Sequence, residues 1–228
     1  MASIAVKLQQ VRERIAAACA MAQRPVQSVT LLAVSKTFGP DAVREAHGAG
    51  QCAFGENYVQ EALTKLDALA ALRPIEWHLI GPLQSNKSRE VAAAFDWVHS
   101  VDRMKVAERL SAQRPAGLAP LQVCLQVNVS GEASKSGVAP GELAALARAV
   151  AALPNLRLRG LMSIPEPVEG LEAQRAPHRM LRGLFDQLRQ QGLTLDTLSM
   201  GMSADLEAAI AEGATIVRVG TAIFGDRA

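Results

Sequence analysis

The chain repeats one pattern along its length, in which a short apolar run is followed by a stretch with helical spacing of its apolar residues. The runs are short enough for buried strands, and the stretches between them resemble amphipathic helices. The strand candidates are 29–35, 52–54, 76–80, 97–100, 121–128, 156–161, 195–199 and 215–219. The helix candidates are 4–22, 40–48, 57–71, 86–95, 103–112, 140–152, 178–191 and 203–212.

This alternation of strands and helices predicts a parallel sheet with right-handed crossovers. Eight β–α units in about 200 residues fit a closed (β/α)₈ barrel of the TIM type. The alternative is an open doubly wound sheet, but no G-x-G-x-x-G motif follows the first strand and no linker divides the chain. We therefore expect an α/β fold in which residues 1–228 form a single barrel domain with an additional N-terminal helix. Segment 166–178 is the most loop-like part, and we expect it to be mobile.

Composition narrows the class of protein. The 228 residues are 49% hydrophobic, the formal net charge is +2 without a long run of one sign, and aromatic residues make up 4%. These values favour one sizeable core and argue against nucleic acid or an acidic membrane surface as a partner. Three separated cysteines without a C-x-x-C pair indicate neither a disulfide framework nor a zinc site. The N-terminus does not read as a signal peptide and no run is long enough to span a bilayer, so we expect a cytoplasmic protein.

Two basic residues stand at neighbouring strands of the expected barrel, where the C-terminal strand ends form the functional face. Lys36 closes the first strand on the same face as Leu32 and Val34, and Arg218 lies on the eighth strand. Two cations in one mouth require an anion, and their repulsion favours the neutral, nucleophilic amine of the lysine. The alternative is a lysine at a strand end that points its ammonium to solvent.

A phosphate site is expected in the loops after strands seven and eight. These loops contain Gly201, Ser203, Gly220 and Thr221, which offer close backbone approach and hydroxyl donors. Ser203 is also expected to begin a helix, whose first amides would add donors. Alternatively, Ser203 only caps its helix and Gly220 only forms a turn. A phosphate site facing a lysine able to form a Schiff base suggests pyridoxal 5′-phosphate (PLP), although a sugar-phosphate lyase or aldolase would use the same parts.

Six motifs resemble one known family. They are LLAVSKTF, FGENYVQE, WHLIGPLQSNK, SKSG, GLMSIP and SMGMSADLEAAIAEGATIVRVGTAIFG. Together they resemble the pyridoxal phosphate homeostasis proteins, the single-domain relatives of the alanine racemase barrel. The resemblance runs from about residue 5 to Gly225, and the last motif is highly specific.

The resemblance implies a set of residues that line one mouth and bind PLP. These are Lys36, Asn57, His78, Ser203, Arg218, Gly220 and Thr221. In this interpretation PLP forms a covalent aldimine with Lys36, and Arg218 lies near the pyridine nitrogen. The phosphate is contacted by Ser203, Gly220 and Thr221, while Asn57 and His78 line the same mouth.

The resemblance also implies a PLP carrier that takes part in vitamin B6 and amino-acid homeostasis, without catalytic residues. A charged Arg218 beside the pyridine nitrogen disfavours its protonation and weakens the cofactor as an electron sink. Racemases of this fold use a second base, a tyrosine from a second domain. This chain ends at Ala228 directly after the expected barrel, so we expect no such domain, and Tyr58 is a weak substitute. The alternative is a PLP-dependent racemase or lyase of narrow specificity.

The last expectations concern the partners of the protein and the remaining candidate residues. We expect a monomer that binds PLP, delivers it to apo PLP-dependent enzymes and binds no metal. Lys135 in the SKSG motif is either a secondary amine for PLP or a surface lysine. His47, His99 and His178 have no partner at ligand spacing, so we expect them to be solvated or packed.

Overall fold

The structure, a computed structural model, describes residues 2–131 and 136–225 and contains a closed barrel of eight parallel strands in chain order. The strands are β1 Thr30–Val34, β2 Ala53–Glu56, β3 Glu76–Leu79, β4 Trp97–Val101, β5 Leu121–Gln126, β6 Leu156–Met162, β7 Thr197–Ser199 and β8 Ile216–Val219. The helices are α1 Ile4–Met21, α2 Pro40–Gly48, α3 Val59–Ala68, α4 Ser88–Ala94, α5 Met104–Gln113, α6 Pro140–Ala151, α7 Leu171–Gln190, α8 Leu206–Ala211 and α9 Thr221–Phe224. The predicted TIM-type barrel with a leading helix is confirmed.

Side-chain alternation along the strands produces two apolar layers. Outward-facing residues such as Ala33, Phe54 and Leu79 pack with the surrounding helices into one large core. A separate cluster fills the barrel interior and consists of Leu32, Val34, Ala53, Ile80 and Ile216. The barrel closes where β1 pairs with β8, and Leu32 lies opposite Arg218 in that register. Closure therefore brings the ends of the first and last strands side by side.

The expected loop at 166–178 is partly wrong, because α7 begins at Leu171 and contains Pro177 within its length. Gly170, with φ of 89°, makes the turn that precedes the helix. Arg175 forms ion pairs with Glu172 in the same helix and with Glu212 after α8. These contacts hold the polar first turns of α7 against its neighbour, which local composition could not indicate.

The predicted helix at 203–212 also begins later, since α8 starts at Leu206. Ser203 is therefore not the cap of this helix. The Asp205 carboxylate accepts a hydrogen bond from the Met202 amide at 2.6 Å, so residues 202–205 form a turn before the helix. The short helix α9, directly after Gly220, was not expected.

The three cysteines are free thiols, with Cys19 and Cys124 buried and Cys52 exposed. Burial raises the pKa of Cys124 to about 12, so it remains a thiol. Within residues 2–131 and 136–225, no three His, Cys, Asp or Glu side chains are grouped to hold a metal ion. Over the same ranges, none of the helices combines the length and apolar character that crossing a bilayer requires.

Strands β6 and β7 approach so closely at Gly160 that a Cβ there would overlap the carbonyl oxygen of Thr197. We expect Gly160→Ala to lower the free energy of unfolding by about 2 kcal/mol or more, because backbone must move. Gly183, inside α7 with open space around it, is the matched control. Gly183→Ala should raise stability by about 0.5–1 kcal/mol. Urea denaturation of both variants checks this, and equal effects would contradict the packing.

Candidate functional site

Lys36 lies directly beyond β1, at the C-terminal mouth of the barrel. The amide of Ser35 still bonds to the Gly55 carbonyl at 3.0 Å, so the strand direction is maintained up to that point. Val34 faces the barrel interior, and alternation places Lys36 on the same side. Thr37 then adopts a φ of 68°, which turns the chain sharply away. The half-buried lysine is thus presented at a tight turn on the rim.

A buried ion pair fixes the peptide that precedes Lys36. One carboxylate oxygen of Glu56 accepts hydrogen bonds from Lys65 Nζ at 2.7 Å and from Ser35 Oγ at 2.5 Å. Lys65 Nζ also donates to the Ser35 carbonyl at 2.7 Å. Burial raises the pKa of Glu56, and the hydrogen bonds from Lys65 and Ser35 oppose that rise. The pair therefore positions the end of β1 at an electrostatic cost.

Sequence reasoning missed Lys65, although its spacing carries a signal. Val59, Ala62, Lys65 and Leu69 follow each other three and four positions apart and are all buried. A lysine on the apolar face of a helix is expected to be paired with a carboxylate.

The loops after β7 and β8 meet beside the end of β1. Ser203 Oγ and Thr221 Oγ1 lie 3.3 Å apart, which joins the two loops at their hydroxyl groups. A Cβ added at Gly220 would lie 3.1 Å from the Val34 carbonyl oxygen, so this glycine packs tightly against β1. Gly201 adopts a φ of 91°, and a side chain there would also press on Ala209. The structure thus places Ser203, Gly220 and Thr221 together on the rim near Lys36.

Two helices hold the Ser203 turn from outside. His178 of α7 lies 2.9 Å from the Asp205 carboxylate, and Arg14 of α1 donates to the Ser203 carbonyl at 3.1 Å. Burial disfavours the charged form of Asp205, but the hydrogen bonds from His178 and the Met202 amide outweigh it and lower its pKa. His178 is fully buried, which confirms it as a packed histidine that also supports this turn.

Arg218 lies inside the barrel with only 3% of the residue exposed. Its Nη1 donates to Ser199 Oγ at 2.8 Å and its Nη2 donates to the Ser163 carbonyl at 2.8 Å. Burial lowers its pKa to about 10, so the guanidinium stays charged at neutral pH. A fixed cation with a defined orientation therefore lies below the mouth.

Asn57 and His78 lie at different depths in the barrel. Asn57 follows β2 at the rim, where Gly81 packs directly on its backbone. His78 lies on β3, deeper in the interior, two residues before the interior-facing Ile80, and is 2% exposed. His78 Nδ1 is 2.9 Å from His99 Nε2. Other side chains lie between His78 and the mouth. Contact between His78 and a cofactor therefore stays a prediction.

A cavity of about 500 Å³ opens beside Asn57 at the mouth and is also lined by Ile80, Gly81, Gln126 and Ile164. Two buried polar atoms near this rim have no hydrogen-bond partner among the described residues, Asn57 Oδ1 and Ser163 Oγ. Buried polar atoms are normally hydrogen-bonded, so these two are suited to the polar groups of a small ligand.

The other candidate residues contribute less to the site at the mouth. Tyr58 is 49% exposed at the residue before α3. His99 is completely buried, as a packed histidine should be, yet it contacts the Arg218 network through Ser199. Lys135 lies outside the described residues.

Comparisons with known proteins agree with this geometry. The family model "Alanine racemase, N-terminal domain" matches residues 6–228. A "Pyridoxal phosphate homeostasis protein" of Pseudomonas aeruginosa is 63% identical over 100% of this chain and 97% of its own length. The protein of the same name from Escherichia coli K12 is 53% identical over 100% and 98%. This chain belongs to the pyridoxal phosphate homeostasis family. The resemblance seen in the sequence motifs is confirmed.

A solved structure of a similar protein allows the folds to be compared. PipY of Synechococcus elongatus, described as a COG0325 family member with PLP bound, is 41% identical to this chain. The match covers 98% of this chain and 100% of PipY, with a TM-score of 0.86.

Lys65→Met tests the ion pair behind Lys36 in this family member. The Glu56 carboxylate would remain buried without its cation, so we expect a loss of about 3–5 kcal/mol in the free energy of unfolding. Without Lys65 the pKa of Glu56 rises further in the native state. The native state then binds protons more readily than the unfolded state, so the variant should become less stable as pH rises above about 4.3.

The controls are Lys65→Met combined with Glu56→Gln, which should recover part of the loss, and Lys105→Met at an exposed position of α5. Urea denaturation at pH 5 and pH 8 measures all three. The interpretation is wrong if the single Lys65 variant shows no steeper pH dependence than the Lys105 control.

Proposed function

We propose that this chain binds PLP at the barrel mouth and holds it as part of cellular PLP homeostasis, without turnover of amino acids. The observation that carries the proposal is the convergence of Lys36, the Ser203–Thr221 hydroxyl pair and buried Arg218 at one end of the barrel. The names of the curated relatives and the PLP-bound PipY structure support the same ligand.

The residues present fit the three ends of PLP. The hydroxyls of Ser203 and Thr221, with the close backbone at Gly220, suit a phosphate dianion. Arg218 suits the ring nitrogen, because a guanidinium can only donate to it. Lys36 suits the aldehyde, as a primary amine at the rim, and we propose a covalent link between its Nζ and the cofactor.

In this proposal, Arg218 determines whether the protein only holds PLP or also uses it to turn over amino acids. When bound, PLP supplies an aldehyde that bonds to amines and a ring that accepts electrons most strongly once its nitrogen is protonated. A charged guanidinium beside that nitrogen disfavours the protonation, since like charges repel. Two 2.8 Å hydrogen bonds hold Arg218 in place, so this effect is built into the fold.

The alternative, a racemase or lyase, needs a second base. The one candidate tyrosine, Tyr58, is half exposed, and within residues 2–131 and 136–225 no hydrogen bond orients its hydroxyl. We therefore favour a PLP carrier that acts as a cytoplasmic monomer and delivers PLP to apo PLP-dependent enzymes.

The covalent link can be tested on the purified protein. Borohydride reduction of the PLP-loaded chain should leave a pyridoxyl mass on the peptide that contains Lys36. Lys36→Ala should lose this mass but keep some PLP, held through its phosphate. Lys87→Ala is the matched control, because Lys87 is engaged with Gln60 and Glu90 at 2.8 and 3.2 Å. An adduct found solely on Lys87 or Lys135 would overturn the assignment.

The phosphate contacts can be tested by removing both hydroxyls, with Ser203→Ala and Thr221→Val together. A hydrogen bond to a charged group is worth roughly 1.5–3 kcal/mol, so the dissociation constant for PLP should rise at least about tenfold. Pyridoxal, which lacks the phosphate, should bind nearly as before. Thr64→Val on the exposed face of α3 serves as the control. Equal weakening of PLP and pyridoxal would place the phosphate elsewhere.

A further inference from the structure

A line of polar side chains crosses the barrel interior from the N-terminal face to Arg218 and is hydrogen-bonded from His78 onward, whereas His78 Nε2 has no hydrogen-bond partner among the described residues. His78 Nε2 lies 3.7 Å from Glu76 Oε1, and His78 Nδ1 lies 2.9 Å from His99 Nε2. His99 Nδ1 lies 2.8 Å from Ser199 Oγ, which accepts a hydrogen bond from Arg218 Nη1 at 2.8 Å. We call these five side chains the relay. Four of them are buried, whereas the Glu76 side chain is 49% exposed at the start of β3.

The two charged ends of the relay, Arg218 and Glu76, together favour one direction for the hydrogen bonds between them. A guanidinium can only donate, so Ser199 Oγ accepts from it and can give its own proton to His99 Nδ1. His99 then carries its proton on Nε2 and donates to His78 Nδ1. His78 in turn carries its proton on Nε2, which faces the Glu76 carboxylate. The opposite direction would turn a ring lone pair towards that carboxylate.

The charges around the relay favour this direction. Burial, with smaller effects of His78 and Arg218, lowers the pKa of His99 well below its usual value, so this ring is neutral. The His78 ring, whose Nε2 lies 3.7 Å from Glu76 Oε1, is the main cause that lowers the pKa of Glu76. The relay thus has a cation at the mouth and an anion at the opposite face. Besides Glu76 and Arg218 themselves, the charged and titratable groups that act on the relay are Arg159 beside Glu76, and Cys124 and Asp205 beside Arg218.

The packing keeps His78 in line with its neighbours. Its ring stacks on Trp97 with 5.3 Å between centroids and 7° between planes, and Arg159 lies 4.8 Å from the Trp97 ring centroid. Trp97 Nε1 also donates to Glu76 Oε1. The ring of His78 cannot turn without breaking this stack, so Nδ1 stays towards His99 and Nε2 stays towards Glu76.

We propose that Glu76, His78, His99 and Ser199 are positioning residues for Arg218, and that they couple the charge state of the N-terminal face to the cofactor end of the barrel. The inference rests on the proposed function for its readout at the cofactor. It requires no net proton transfer, because the carboxylate acts by holding both rings in one tautomer. The relay crosses β3, β4, β7 and β8, so it links strands on opposite sides of the barrel.

The first test needs no substitution. Nitrogen NMR of the protein labelled in its four histidines reports which ring nitrogen carries the proton. At pH 7.5 His99 should be neutral with its proton on Nε2 and should keep this form down to pH 6, and the Nε2 of His78 should carry a proton. A proton on His99 Nδ1, or a His99 ring that becomes charged by pH 6, would overturn the proposal.

The second test removes the charge at the far end. Glu76→Gln keeps the shape of a half-exposed side chain, so it should leave the fold intact, which urea denaturation checks. Asp196→Asn neutralises another half-exposed acid, which pairs with Arg159 and does not contact His78, and is the matched control. We expect the Glu76 variant to change the ring signals of His78 and to change the PLP dissociation constant by about fivefold, the low end of typical coupling. The Asp196 variant should do neither.

Two results would refute the coupling. One is equal PLP affinity in the Glu76 and Asp196 variants, and the other is altered histidine signals with unaltered PLP affinity, which would make the relay purely structural. Neither result resembles failure of the proposed function, in which no form of the protein would bind PLP.

Discussion

Burial of the Arg218 guanidinium inside a closed barrel is the constraint on which the rest of the site depends. An unpaired charge in an apolar interior is costly, and here two neutral oxygens, from Ser199 and Ser163, satisfy the guanidinium. The strand order in the closed barrel supplies both, because β7 pairs with β8 and β6 pairs with β7. The same closure brings β1 against β8 and so presents Lys36 on the same rim as this cation. A barrel that failed to close would separate the end of β1, and with it Lys36, from this cation.

Two of the segments at the mouth are held from behind by polar contacts. The Glu56–Lys65 pair fixes the end of β1, and His178 with Arg14 fixes the turn at Ser203. Such supports place the binding groups before a ligand arrives, which lowers the entropy cost of binding. They suit a protein that retains PLP, and under the proposed function a fixed cation beside the ring nitrogen would suit one that does not activate it.

The barrel, and the placement of the residues proposed to bind PLP, could be predicted from the sequence because both depend on local patterns. Apolar runs mark the strands, and alternation along β1 and β8 directs Lys36 and Arg218 to the same mouth. The beginnings of α7 and α8 could not be predicted, since they depend on contacts such as Arg175 with Glu212. The contacts of His99 could not be predicted either, because its hydrogen bond to Ser199 joins residues 100 positions apart in the chain.

The most direct measurement of the central claim is the uptake of deuterium at the α-carbon of L-alanine incubated with the PLP-loaded protein in heavy water. If the chain holds PLP with its ring nitrogen kept unprotonated by Arg218 and without a paired second base, uptake should be no faster than with free PLP at the same concentration. Uptake clearly faster than with free PLP, whether or not racemisation accompanies it, would contradict the account and favour an enzyme.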